Sequence, residues 1–530
     1  MSASSPAATP ADAVHAARPD GRGYVLDEPY TARYFDLQSP ARMRHSMRCA
    51  GFDPVAPAEG FRYAELGCGN GATLAMLAAL HPGSSFLGID LNPQHIAAAT
   101  ELARSAGLDN LVFLEADIAQ ACAMPWGAFD YISAHGVYAW VDAGVRDGLM
   151  QFIGRHLAPL GIAYVSYNAL PGWSAKEPLW RLLDRHIADL PGSSVSRVSE
   201  GLRFLEFLRG AEVPYFAQNP AAGEHLALLR AEDPRYVAHE FCNRHFAPLY
   251  CSELFAHARQ HGLVFVAQAE TQPNLPVERV PAACLNYLAA IADFEEREVV
   301  SSLLRNDGFR TDLYARQWPA AVELEHSPLW DMAFTTITPL RDLPADLACG
   351  SRSLARTSDL VDAITEAAEP GALTVREIAA QPRLRRHSPR LVLETAQLLE
   401  LSRHYAFVAP GGGVASVPDT GRWRIGCRGA RVLLEARLRE NGFGHLAAPR
   451  LGSAIRLDVL GSLAVLCLDD AASHAAAAAH LARLLNEAWP DLLAYRADDD
   501  WAAGFLSDFA AHWGPVLVKL GAVGRSQQPT

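Results

Sequence analysis

Glu65-Leu66-Gly67-Cys68-Gly69-Asn70-Gly71 is the stretch that decides the fold of this 530-residue chain. Phe61–Leu66 before it is a short apolar run of strand character, and Ala72–Leu80 after it reads as a helix. Gly67, Gly69 and Gly71 permit positive φ and let the backbone approach a ligand closely. A helix starting near Ala72 would turn free N–H groups toward anionic atoms. Outward from this turn the same alternation repeats. Ser85–Ile89, Leu111–Glu115, Phe129–Ala134 and Ala163–Asn168 read as strands, with helices near Pro93–Ala106 and Val145–Leu157 between them. Strand–helix units of about 30 residues predict βαβ construction around a parallel sheet.

The Gly-rich turn alone is ambiguous, because Gly67–Ala72 also fits the dinucleotide fingerprint GxGxxA. Three carboxylates narrow the choice. Glu65 precedes the turn, Asp90 ends the second strand and Asp117 follows the third, 25 and 27 residues apart. Each acid alone reads equally as a solvated strand-end residue. In series they form a nucleoside site. Asp90 is placed to accept both ribose hydroxyls, which either kind of site would use. Asp117 is placed to accept from an adenine amino group, and no second Gly-rich turn serves a second mononucleotide. The combination points to S-adenosyl-L-methionine, with the turn facing its amino-acid end. The expected cofactor residues are Glu65, Gly67, Cys68, Gly69, Asp90, Leu91, Asp117 and Ile118, with the backbone of His135.

Two further blocks carry a family resemblance: Phe129-Asp130-Tyr131-Ile132-Ser133-Ala134-His135-Gly136-Val137-Tyr138-Ala139-Trp140 and Ala163-Tyr164-Val165-Ser166-Tyr167-Asn168-Ala169-Leu170-Pro171-Gly172-Trp173. With Asp27-Glu28-Pro29-Tyr30, His239-Glu240-Phe241 and Phe309-Arg310-Thr311-Asp312-Leu313, the chain resembles class I methyltransferases with a methyltransferase regulatory domain. The rickettsial protein-lysine methyltransferases belong to that group. The resemblance covers residues 24–315 and is thin beyond them. Asn70 and Ala72 depart from a common Asp and Gly, at positions where backbone atoms make the contacts.

The pattern and the resemblance together lead to an expected α/β fold: a Rossmann-like class I methyltransferase sheet with a helical insertion, followed by mostly helical and winged-helix-like C-terminal domains, the latter read from the sequence pattern alone. The expected order is a disordered tail (1–23), then a cofactor-binding domain (24–172, completed by about 233–272) holding a helical insertion (173–232). A helical middle domain (273–365), a winged-helix-like module (366–410) and a C-terminal domain (411–530) follow. The module is read from a short helix at Val375–Ala380, a longer one at Pro389–Leu401 and an alternating run at 403–408.

Methyl transfer is an SN2 displacement at a sulfonium, so the protein mainly supplies orientation and a dry site. A lysine amine must first lose its proton, which burial beside the sulfonium favours, leaving a dedicated base optional. Tyr138, Tyr167 and Asn168 at the ends of the fourth and fifth strands are the catalytic candidates. Trp140 and Trp173 are the acceptor-side aromatics, suited to cation–π attraction or simply to packing. Tyr30 as a lid follows from the resemblance alone. The fourth strand ends in Ser133-Ala134-His135-Gly136 and lacks the [DNS]PP[YFW] of exocyclic base-amine methyltransferases.

No metal site is read. His239 and His245 lie about 120° apart on a helix, off the shared face of an i, i+4 pair. Arg383-Leu384-Arg385-Arg386-His387 reads as a solvated loop rather than a phosphate contact. The net charge of -13 gives no global support for nucleic-acid binding. Nine scattered cysteines without a CxxC pair read as reduced thiols, and no run reaches the ~20 apolar residues of a membrane span, so a cytoplasmic protein is expected. The resemblance implies a protein lysine side chain as the acceptor; the alternatives are a small metabolite and, second, a non-catalytic cofactor-binding regulatory protein. The resemblance also implies a homodimer contact through the helical insertion.

Overall fold

A computed structural model describes residues 24–525 apart from 26, 29, 32, 276–279, 409–422, 442–443, 470 and 494–495. The expected tail, and Pro29 of the N-terminal motif, lie outside the described residues. The centre is a seven-stranded sheet built from β1 (Arg62–Leu66), β2 (Ser85–Asp90), β3 (Leu111–Glu115), β4 (Phe129–Ala134), β5 (Leu157–Asn168), β6 (Val264–Gln268) and β7 (Phe309–Ala315). Their spatial order is β3-β2-β1-β4-β5-β7-β6, and β7 runs antiparallel to both neighbours. The order reverses beside β1, so the crevice for a ligand opens outside the carboxyl ends of β1 and β4.

The helix Ala72–Leu80 is buried at every residue, and its sequence has no polar face. A helix apolar all round needs cover on all sides. One side lies on the sheet. The other meets the helix Ala430–Asn441 and the hairpin of Gly444–Ala448 with Ser453–Leu457 from the C-terminal part. Residues 177–231 form the insertion helices Glu177–Ile187, Ser194–Gly210, Pro214–Gln218 and Pro220–Ala231. Ser193 caps the second by accepting from the Ser196 amide, which explains the Ser-rich break before it.

Three expectations need correction. Residues 273–365 are not uniformly helical, and the sheet is not completed by 233–272 alone, because β7 lies between β5 and β6. The run Phe309-Arg310-Thr311-Asp312 looks too charged for a central strand. Arg310 and Asp312 are nonetheless both fully buried and paired, at 2.8 Å. The winged-helix-like module also begins before 366. The helix Asp359–Ala368 packs with Pro389–Leu401, and Ala333–Thr336 pairs antiparallel with Tyr405–Val408. The Arg383 guanidinium is engaged by Asp359, Asp362 and Glu366, and Arg386 pairs with Asp359, so carboxylates of the preceding helix pair with two of the loop's three arginines.

Candidate active site

A cavity of about 690 Å³ lies at the carboxyl ends of β1, β2 and β4. Glu65, Gly67, Cys68, Gly69, Asp90, Leu91, Asp117, Ile118 and His135 all line it. The turn is fixed by its own backbone: the Gly67 and Cys68 amides donate to the Ile89 carbonyl at 2.7 and 3.1 Å. Gly67 has φ +74°, and a Cβ there would lie 2.4 Å from Val137 Cγ2, so only glycine fits.

The three carboxylates differ in their partners. Asp90 Oδ2 accepts from the Gly69 amide at 2.8 Å, while Oδ1 accepts from the Asn92 amide at 2.8 Å and faces His95 Nδ1 at 3.2 Å. Asp117 caps the helical turn Ile118–Ala121 through the Ala119 amide at 2.9 Å. Glu65 is buried, and its Oε2 has no hydrogen-bond partner. Burial pushes its carboxyl up to about 8, a rise tempered by the Gln38 amide and reinforced by Asp90. An orphaned carboxylate oxygen in a cavity is the acceptor that an ammonium group requires.

The candidates on the acceptor side divide. Tyr30, Trp140 and Asn168 line the cavity; Tyr138, Tyr167 and Trp173 are absent from its walls. The pleat explains Tyr167. Opposite residues of β5 and β7 share a face, and Asn168 pairs with Phe309 on the cavity side while Tyr167 pairs with Arg310 on the other. Tyr167 is fully buried and donates to Asp312 Oδ2 at 2.7 Å. The Tyr138 hydroxyl lies 2.7 Å from His257 Nδ1, directed at a helix behind the wall. Trp173 packs against Phe246 and His225. Half-buried His135 has its Nδ1 2.7 Å from the Tyr164 hydroxyl, and desolvation pushes its imidazole down to about 3. It is neutral at physiological pH and a poor proton acceptor.

Described residues of the N-terminal segment, among them Tyr24, Tyr30, Phe35 and Gln38, line the cavity. The Tyr24 hydroxyl donates to Asp142 at 3.1 Å, the Tyr30 amide donates to His95 Nε2 at 3.0 Å, and Phe35 packs on the His135 ring at 3.8 Å. The Tyr30 ring meets His239 edge-on, and His239 Nε2 bonds the Glu28 carbonyl at 2.8 Å, so this histidine holds the segment. Sequence reasoning did not assign Tyr24, Gln38, Tyr236, Glu240, Phe309 or Thr311 to the wall, yet all line it. The alternation of Phe309 and Thr311 was the available signal for the last two. Glu240 gave none, and burial raises its carboxyl to about 8 against the opposing charge of Arg33.

Residues 64–163 match the family described as a methyltransferase domain, and residues 233–316 one described as a predicted methyltransferase regulatory domain. An uncharacterized protein of Rickettsia prowazekii is 30% identical over 219 residues, 40% of this chain and 84% of that protein. The chain belongs to the class I S-adenosylmethionine-dependent methyltransferases with a regulatory domain. An uncharacterized protein of Synechocystis is 29% identical over 357 residues, 67% of this chain and 71% of that one. Among solved structures, PKMT2 from Rickettsia typhi in complex with AdoHcy has the same fold, with a TM-score of 0.72 at 20% identity. The match covers 93% of this chain and 100% of that one. By its methyltransferase-domain match, the enzyme is an S-adenosylmethionine-dependent methyltransferase. Its regulatory segment does not stand apart from the site: residues 233–316 supply β6 and β7 to the sheet and Tyr236, His239, Glu240, Phe309 and Thr311 to the cavity.

Proposed function

We propose that the enzyme transfers methyl groups to lysine side chains of a protein that enters through the cleft beside the cofactor cavity. One observation carries this reading. The cavity shares Tyr30, Arg33, Phe35, Asn70, His95 and Glu270 with a cleft of about 1620 Å³. The far walls of that cleft come from the winged-helix-like module, including Leu401 and Phe407, and from the C-terminal part, including Arg437 and His445. Small-molecule sites occupy ~300–1,000 Å³. A cleft beyond that range, sharing walls with the cofactor cavity, suits a polypeptide segment. The likeness to PKMT2 supports the same reading.

S-adenosylmethionine supplies a methyl group already activated on sulfur. In this reading the chain's own residues orient the partners. Glu65 Oε2 would accept from the ammonium of the cofactor's amino-acid end, with the Gly67–Gly69 turn also serving that end. Asp90 would hold the ribose, and Asp117 with Ile118 the adenine. Leu91 and the His135 backbone would complete the cofactor contacts. Asn168 and Trp140 face the acceptor, Tyr30 covers the mouth, and Glu270, on the wall shared with the cleft, draws in the lysine ammonium. A homodimer contact through the insertion belongs to the same reading, since Leu182, Phe207 and Leu228 are exposed there; sedimentation of Phe207→Glu against the unaltered chain tests it.

The experiment is incubation of the full chain with isotopically labelled S-adenosylmethionine and a proteome fraction, followed by mass spectrometry of labelled residues. Label on protein lysines supports the proposal. Label confined to small molecules overturns the acceptor class while leaving the methyltransferase assignment intact.

A further inference from the structure

Away from the cofactor cavity, three metal-ligating side chains converge on one point. Asp147 belongs to the helix Ala143–His156; His257 lies in the helix Cys251–Gln260, and His261 is its C-cap. Asp147 Oδ1 is 3.3 Å from His257 Nε2 and 3.1 Å from His261 Nε2, and all three ligand atoms lie within 4.8 Å of one another. Ligand atoms about 2.0–2.1 Å from a tetrahedral zinc ion are separated by roughly 3.3–3.4 Å. The two His–Asp spacings match that separation.

The two histidines sit at i, i+4, the separation that places both rings on one face of a helix. A second observation concerns the opposite edge of His257. Its Nδ1 is 2.7 Å from the Tyr138 hydroxyl, which orients the ring and leaves Nε2 directed at Asp147. Fixing the non-ligating nitrogen in this way is the outer-shell arrangement of metal-bound histidines. The Asp147 side chain is 62% exposed while both histidines are mostly covered, so an ion can enter from solvent and keep a water as its fourth ligand.

We propose that Asp147, His257 and His261 form a binding site for a borderline divalent transition metal, zinc above all. Two oriented imidazoles and one carboxylate select such an ion over calcium or magnesium, which prefer all-oxygen sites. None of the three residues lines the cofactor cavity, so the ion acts as a clamp. Asp147 lies within the segment matched as the methyltransferase domain, and both histidines lie within the regulatory segment. Tyr138 continues the clamp inward. It opens the turn Tyr138–Trp140, whose Trp140 lines the cavity.

The test uses the full chain stripped with a chelator and titrated with Zn²⁺ by equilibrium dialysis, because nine cysteines and the remaining histidines supply background binding. Compared with the unaltered chain, His261→Ala and Asp147→Asn each lose one equivalent of tight zinc, and Tyr138→Phe weakens that equivalent by about tenfold. Zinc also raises the thermal midpoint of the unaltered chain and fails to raise that of His261→Ala. Circular dichroism verifies that His261→Ala and Asp147→Asn, altered on or near the surface, are folded. Equal zinc stoichiometry and affinity in the unaltered chain and both variants overturns the proposal, as does the absence of tight binding in all of them.

Discussion

At the scale of the residue, Glu65 is the most informative group in the molecule. Its Oε2 is buried without a partner, and burial raises its carboxyl to about 8. A carboxyl raised above its unfolded value binds protons more readily in the folded chain, so its contribution to stability falls as pH rises from about 4.5 toward 8. Binding a cationic ligand has the opposite sign, because the proton must leave first. Cofactor affinity is therefore expected to strengthen between pH 6 and 8, approaching tenfold per unit, and then to level. Glu65→Gln should bind more weakly at pH 8 and lose most of that slope, as measured by titration calorimetry. A variant with the same slope would remove Glu65 from the cofactor site. His135 contributes no imidazolium to the profile, since desolvation holds it near 3.

Among the elements, β7 shows what sequence patterning conceals. Phe309 and Thr311 face the cavity. Arg310 points the other way, into a closed network with Asp312 at 2.8 Å and Glu298 and Asp307 at 3.0 Å each, and Tyr167 donates to Asp312. Removing one member leaves buried charge uncompensated, which costs ~3–5 kcal/mol. Arg310→Ala should accordingly lower the thermal midpoint sharply. Tyr167→Phe should cost ~1–3 kcal/mol, the desolvation penalty of one unsatisfied buried group. Because Tyr167 lies behind the cavity wall, kcat of the folded Tyr167→Phe variant should stay within about twofold of the unaltered enzyme. A hundredfold loss in that variant would restore Tyr167 to the reaction. Strands β1 to β5 were legible because their apolar runs and turn residues agree. β7 was not, because its charges are neutralised by partners that only folding brings together.

Over the whole molecule, the cofactor domain and the C-terminal half are joined through buried charge. Glu400 accepts from Arg42 Nη1 at 3.0 Å and bonds His45 Nε2 at 2.6 Å, linking the helix Pro40–Cys49 to the winged-helix-like module. Burial opposes charge on His45, but the Cys49 sulfur and the Glu400 carboxylate outweigh it and raise the imidazole to about 10. A raised histidine stabilises fully below its unfolded value near 6.5 and loses that contribution as pH climbs through 10. Glu400→Gln should cost ~3–5 kcal/mol at pH 7, seen as a lower urea midpoint, and the gap should narrow above pH 10. An unchanged midpoint at pH 7 would show that the halves are held elsewhere. The sequence by itself determined the sheet-forming strands, the Gly-rich turn and the three strand-end carboxylates, because strand periodicity and glycine backbone freedom are local properties. Only the tertiary structure decided which aromatics reach the cavity, that the regulatory segment completes both sheet and wall, and that Asp147 meets His257 and His261. Those outcomes depend on which face of each element is covered, and by what, from distant parts of the chain.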